Sequence, residues 1–256
     1  MADDNLTGLR RGRDFKYTVI FVIFKVTGLE VSPPPFLKWK IIKMKNKINK
    51  IFLKVEKIMS TSDFPCHDYE HVLRVYNTST KLAEEEKANL FVVEPAALMH
   101  DLGRADEFRN PEIDHAERSV ELASEILKNI DYPLALHGPI YQAISEHRFS
   151  KNIKPSNLES AILQDADRLD ALGAIGIMRC ISYGVFSGIR IYDPRDIFAK
   201  NREVDDKKFM IDHFYQKLFK LPSFMSTESG KKAAENRVLF MKDFIEQLNY
   251  EVWGKK

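Results

Sequence analysis

Six of the seven histidines in the chain fall between positions 67 and 147, and three carboxylates crowd the run Leu163-Gln-Asp-Ala-Asp-Arg-Leu-Asp170. Imidazole nitrogens and carboxylate oxygens together suit a divalent ion of the Mn, Fe, Co, Ni or Zn kind better than Ca or Mg, which favour all-oxygen shells. The carboxylates lie in a segment apolar enough to be buried, and a buried carboxylate is costly unless it is paired or binds a metal. His67 and His71 are four residues apart and share a helix face. His100 and Asp101 are adjacent, just before a turn at Gly103, where side chains can project into a cleft. Where protein ligands fill only part of a metal's shell, the open positions take water or substrate, and this separates a catalytic metal from a structural one.

Helices are the elements that must bring these residues together. From Phe36 onward apolar residues recur at three- and four-residue steps, and no later segment sustains the two-residue alternation of a strand. The pattern predicts an all-α, single-domain helical bundle over residues 37–256. Its helices are expected at 38–59, from Pro65 to about Ala88, from Glu94-Pro95 to Gly103, and at 112–129, 134–147, 157–180, 206–220 and 229–250. Residues 1–36 read as an N-terminal extension, disordered or β-prone. Its apolar run YTVIFVIF at 17–24 is too short to span a bilayer, and Val31-Ser-Pro-Pro-Pro35 breaks regular structure. The stretch from Tyr183 to Asp206, with Gly184, Gly188 and the run IYDPRD, is a candidate lid, because long loops in compact domains are usually functional or mobile.

Composition narrows the partners. The chain has 256 residues, 44% of them hydrophobic, enough for one sizeable core. Lys and Arg total 39 against 37 for Asp and Glu, and a net charge of +2 is no footprint of a nucleic-acid binder, so phosphate recognition must be local. No membrane partner is expected. Cys66 and Cys180 are too few for a disulfide framework and fit a reducing, cytoplasmic interior.

Taken in order, His71-Val-Leu-Arg-Val75, His100-Asp101-Leu-Gly-Arg104 and Asp165-Ala-Asp-Arg-Leu-Asp170 resemble the H…HD…D signature of the HD-domain phosphohydrolase superfamily. The likeness is stronger to its YedJ/YpgQ-like group, through SDFPCHDYEH, SEHRFS at 145–150, LQDADRLDALGAIGIMR at 163–179, IYDP at 191–194 and AENRVLFMKDF at 234–244, and covers roughly residues 48–252. This resemblance implies that His71, His100, Asp101 and Asp167 are metal ligands. Asp167 is chosen because the family follows the ligand with a basic residue and, three positions on, another acid, as Arg168 and Asp170 do here. Asp165, two residues back and about 200° round a helix, cannot face the same ion. Asp170 is then expected behind the ligands, holding His71 or an arginine, with His67 beside His71. The implied cofactor is a divalent transition metal, manganese first, with cobalt, nickel, iron or magnesium as alternatives.

Asp101, His115 and His147 are the candidate catalytic residues. In some HD proteins the regions of His115 and His147 bind a second metal or the scissile phosphate. Either histidine could protonate a leaving oxygen, or hydrogen-bond within its own helix. Arg104, Arg148 and Arg168 are candidate phosphate contacts, since a planar guanidinium grips two oxygens at once. The resemblance implies a small-molecule nucleotide or phosphate ester as partner, and in the YedJ/YpgQ-like group a nucleoside or deoxynucleoside triphosphate cleaved to monophosphate and pyrophosphate. Two other readings stand beside it: a di-iron HD-type oxygenase with His115 and His147 as extra ligands, and a nucleotide-binding regulator without turnover. The aromatics of the closing helices suit a helix-to-helix homodimer.

Overall fold

The stripe Met44, Ile48, Ile51, Val55 and Met59 recurs at four- and three-residue steps and is buried along the inner face of α1 (Pro35–Met59). The protein, a computed structural model, is described over residues 35–60, 68–151 and 153–255; the extension up to residue 34, with its apolar run, and His67 with Cys66 lie outside them. The chain divides into two units, Met1–Lys43 and Met44–Lys256, and the second holds every described candidate site residue.

Asp68 caps α2 (Tyr69–Glu85), its carboxylate accepting from His71 N at 2.8 Å, so His71 stands in the first turn of that helix. Next comes α3 (Leu90–Met99), capped by Asn89 and buried on every side from Val92 to Met99. Its start corrects the expectation that Glu94-Pro95 opens the helix. Pro95 stands inside and cannot donate to the Phe91 carbonyl, but Tyr132 Oη donates to that oxygen at 2.8 Å, so no acceptor is orphaned. Leu98 and Met99 are fully buried, each contributing roughly 2 kcal/mol. They anchor the residues that follow, His100 and Asp101.

A short helix that the sequence did not announce, α4 (Arg104–Arg109), leads to α5 (His115–Asn129), where Asp114 accepts from Ala116 N and Glu117 N. Then α6 (Leu134–Glu146) ends at His147. The helix expected at 157–180 is two helices, α7 (Leu158–Leu169) and α8 (Gly173–Phe186), bent by 61°. The break lies at Asp170–Leu172, and Gly173 takes the left-handed φ of +72° that opens α8.

The helix expected at 206–220 is likewise corrected. Only α9 (Asp212–Gln216) and a 3₁₀ segment (Leu218–Phe224) form there, because the buried Asp212 carboxylate is held by Arg202 at 2.7 Å and by Asp205 N at 2.7 Å. Tyr183 belongs to α8, so the candidate lid begins at Ser187. The segment is tied down: Met210 N donates to Arg190 O at 2.8 Å, Arg190 and Phe209 form an isolated bridge, and Ile197 is buried. Finally α10 (Glu228–Val252) closes the chain.

Within the second unit, α3 packs against α2, α6 and α7, while α10 packs on α7 and α8. Among the described residues there is no strand, and the fold is all-α. No single described helix is long and apolar enough to cross a membrane.

Candidate metal centre

Three elements converge on one point. The first turn of α2 brings His71, the turn after α3 brings His100 and Asp101, and the last turns of α7 bring Asp167. His71 Nδ1 donates to Asp170 Oδ2 at 2.7 Å and His100 Nδ1 donates to the Ala97 carbonyl at 2.8 Å. These bonds turn both Nε2 atoms inward, 3.4 Å apart. His71 Nε2 is 3.4 Å from Asp167 Oδ1 and 3.6 Å from Asp101 Oδ2, and His100 Nε2 is 3.7 Å from the same Asp101 oxygen. Donors about 2.1 Å from one ion stand roughly 3.0–3.4 Å apart in octahedral or tetrahedral shells. Acceptors at this spacing need a cation among them, a proton on His71 or a metal ion, and the mixed nitrogen and oxygen set fits a divalent transition metal.

Electrostatics agrees with the geometry. Burial opposes charge on His71, but hydrogen bonds with Asp101, Asp167 and Asp170 outweigh it and raise the pKa to about 10. A site that attracts a proton this strongly attracts a metal ion for the same reason. Burial opposes charge on Asp167 too, yet the hydrogen bond and charge of His71 hold its carboxyl well below the usual range. At His100 burial prevails and lowers the pKa to about 4, keeping the ring neutral as a ligand must be.

The other oxygen of Asp101 faces a second group. Asp101 Oδ1 is 3.3 Å from His147 Nε2 and 3.7 Å from His115 Nε2, and these two nitrogens are 3.3 Å apart. This second group holds a cation of its own: Arg104 Nε donates to Asp101 Oδ1 at 3.0 Å. Burial, then the charge of Arg104, lowers the His115 pKa to about 4. His147 Nδ1 donates to the Ile144 carbonyl at 2.6 Å. The two groups meet at Asp101, with the His100 and His147 ring centres 5.0 Å apart, and close by the N–H of Gly103 donates to Ser119 Oγ at 2.9 Å. The Gly103 φ of −81° suits any residue, but a Cβ there would lie 2.4 Å from the His115 carbonyl oxygen.

The remaining candidates separate. Asp170 Oδ1 accepts from Arg74 Nε at 2.7 Å, and Asp170 Oδ2 accepts from Arg179 at 2.6 Å as well as from His71. The three arginines read as phosphate contacts all have internal partners. Arg104 also donates to Glu107 at 3.0 Å, Arg148 lies 2.8 Å from both Glu107 and Asp114, and Arg168 donates to Gln164 at 2.9 Å and to the Phe224 carbonyl at 3.0 Å. Sequence reasoning missed Glu107, the residue that joins this side of the site. Its Oε2 lies 2.9 Å from His115 Nδ1, off the line of the N–H, while it also meets Arg104 and Arg148. The available signal was its place three residues after Arg104 in a strongly charged run.

Known proteins resemble this chain over most of its length. The HD domain family matches residues 68–172. YpgQ of Bacillus subtilis is 32% identical over 199 residues, 76% of this chain and 88% of YpgQ. The crystal structure of YpgQ in complex with ADP has a TM-score of 0.64 at 28% identity, covering 82% of this chain and 96% of that one. An HD-superfamily hydrolase from Bacillus thuringiensis has a TM-score of 0.65 at 32% identity, covering 83% of this chain and all (100%) of that one. The symmetrical bis(5'-nucleosyl)-tetraphosphatase of Staphylococcus aureus is 32% identical over a shorter stretch of 96 residues, 38% of this chain and 47% of that one. With the inward-facing His71, His100, Asp101 and Asp167 standing inside the matched HD region, this chain belongs to the HD-domain hydrolase superfamily and to its YpgQ-like group.

Proposed function

We propose that this protein is a metal-dependent phosphohydrolase acting on nucleotides, with a nucleoside or deoxynucleoside triphosphate cleaved to monophosphate and pyrophosphate. The observation that carries the proposal is the inward convergence of two imidazole nitrogens and two carboxylates at 3.4–3.7 Å. ADP bound to YpgQ and the tetraphosphatase relative support a nucleotide substrate. His71, His100, Asp101 and Asp167 would hold a divalent transition metal, manganese first. Such an ion supplies a Lewis acid for a phosphoryl oxygen and makes water acidic enough to ionise near neutral pH.

The chain's own residues do the rest. Asp170 locks the His71 ring from behind, and the Ala97 carbonyl locks His100. Arg104 fixes Asp101 and offsets charge beside it. His115 is neutral at pH 7, so its Nε2 is a proton acceptor next to the reacting centre, and His147 beside it can relay that proton toward a leaving oxygen. Arg104 on Asp101 Oδ1 favours one metal per chain over the di-iron reading. The test is to change His100 and Asp101 singly to Ala, then measure metal content and the release of phosphate and pyrophosphate from a nucleotide panel with Mn, Co, Ni and Mg. Each change should lower turnover by at least about a hundredfold, some 2.7 kcal/mol, and empty the site. Wild-type activity in either variant would refute the assignment.

A further inference from the structure

A nucleotide brings several negative charges, yet the arginines around the cluster are committed to Asp101, Glu107, Asp114, Gln164 and the Phe224 carbonyl. The cations still available lie elsewhere. A cavity of about 650 Å³ runs beside α8, with Arg179 and Tyr183 on one wall and Lys207, His213 and Lys217 on another. Asp206, the carboxylate of the lining, is paired with His213 at 2.9 Å, and Arg179 is paired with Asp170. Among the described residues, neither Lys207 nor Lys217 has a carboxylate within ion-pair distance, and both are exposed.

Two chains of side-chain contacts link its lining to the metal cluster. In one, Arg179 touches Asp170, which holds His71. In the other, Lys217 Nζ stands 5.0 Å from the centre of the Phe149 ring, which Arg168, the neighbour of Asp167, also covers at 5.5 Å. The volume suits a nucleotide-sized molecule, within the roughly 300–1,000 Å³ of small-ligand sites.

We infer that this cavity is a second anion subsite, in which Lys207 and Lys217 hold the phosphoryl groups of a polyphosphate ligand that are not at the metal. The inference rests on the proposed function only for naming that ligand as substrate; the unpaired ammonium groups and the cavity stand without it. A flexible lysine meets a polyphosphate as a point charge, so the grip is salt-sensitive and tolerant of phosphate geometry.

Calorimetric titration of the full-length protein with inorganic tripolyphosphate, with chelator present, tests this directly. Wild type and Asp101→Asn should bind it alike, and the double variant Lys207→Ala/Lys217→Ala at least about tenfold more weakly. Arginine at both positions should restore binding. Lys208→Ala, whose ammonium is paired with Asp205 at 2.8 Å outside the cavity, should change nothing. Undiminished binding by the double alanine variant would overturn the inference. ADP then separates the two sources of the anion. We expect ADP to displace tripolyphosphate and the double variant to raise KM for the nucleotide with kcat within about twofold, as for the tail of a substrate. ADP binding alongside tripolyphosphate would instead make the cavity a separate effector site. Because the titration needs no turnover, failure of the hydrolase reading and failure of this one give different results.

Discussion

Asp165 and Asp167 stand two residues apart on α7, and the fold gives them opposite work. Asp165 accepts from Ser226 N, Thr227 N and Thr227 Oγ1 at 2.7–3.0 Å, closing the turn that starts α10. Asp167 instead faces His71 Nε2 at 3.4 Å, beside His100 and Asp101. The Asp165 side chain keeps no exposure and that of Asp167 keeps 21%, yet His71, His100 and Asp101 beside Asp167 are as buried as Asp165. Burial alone therefore does not mark a functional carboxylate. What marks it is which groups stand opposite: N–H donors satisfy a structural acid, and other acceptors call for a cation.

Three substitutions sharpen or break this contrast. The largest effect should come from Asp167→Ala, which should cost at least about a thousandfold in kcat, near 4 kcal/mol, and abolish metal uptake, with the unfolding midpoint little changed. Steady-state kinetics, metal analysis and denaturant unfolding read all three. Asp165→Ala should show the reverse pattern: about 3 kcal/mol of stability lost because a buried amide and hydroxyl of Thr227 and the half-buried amide of Ser226 lose their acceptor, with metal still bound in the cold. A stable Asp165→Ala protein that had lost its metal would erase the distinction. Glu107 is a mixed case, engaged by cations like a structural acid yet set behind His115. Glu107→Gln should lower kcat about tenfold with KM and metal content held, since it orients a neighbour and binds nothing itself. A loss confined to stability would move it to the Asp165 class.

How far the sequence could be read follows from the same physics. The stripe from Met44 to Met59 and the long α10 were legible because burial of one helix face imposes a period that survives in the residues. The set His71, His100, Asp101 and Asp167 was suggested by the family resemblance that its order carries, and the fold brings these four side chains to one point, each near the start or end of a helix. The break after Leu169 was not, since Ala171-Leu172 reads like helix interior and the turn depends on Asp170 being pulled toward His71, Arg74 and Arg179 from other elements. Nor was the loss of helix before Asp212, which is fixed by Arg202. Glu107 was hidden because a six-residue helix carries no period. The engagement of Arg104, Arg148 and Arg168 was hidden because several of their partners come from distant positions.

At Gly103 the backbone after His100-Asp101 meets the backbone of His115 with no room for a methyl group between them. The spacing between the Asp101 turn and the first turn of α5 is thus gauged by main chain against main chain. Rotamer changes at the surrounding side chains cannot reset it, so the approach of His115 to Asp101 is written into one achiral position. Drift elsewhere in the protein can retune charge and access while this gauge stays constant.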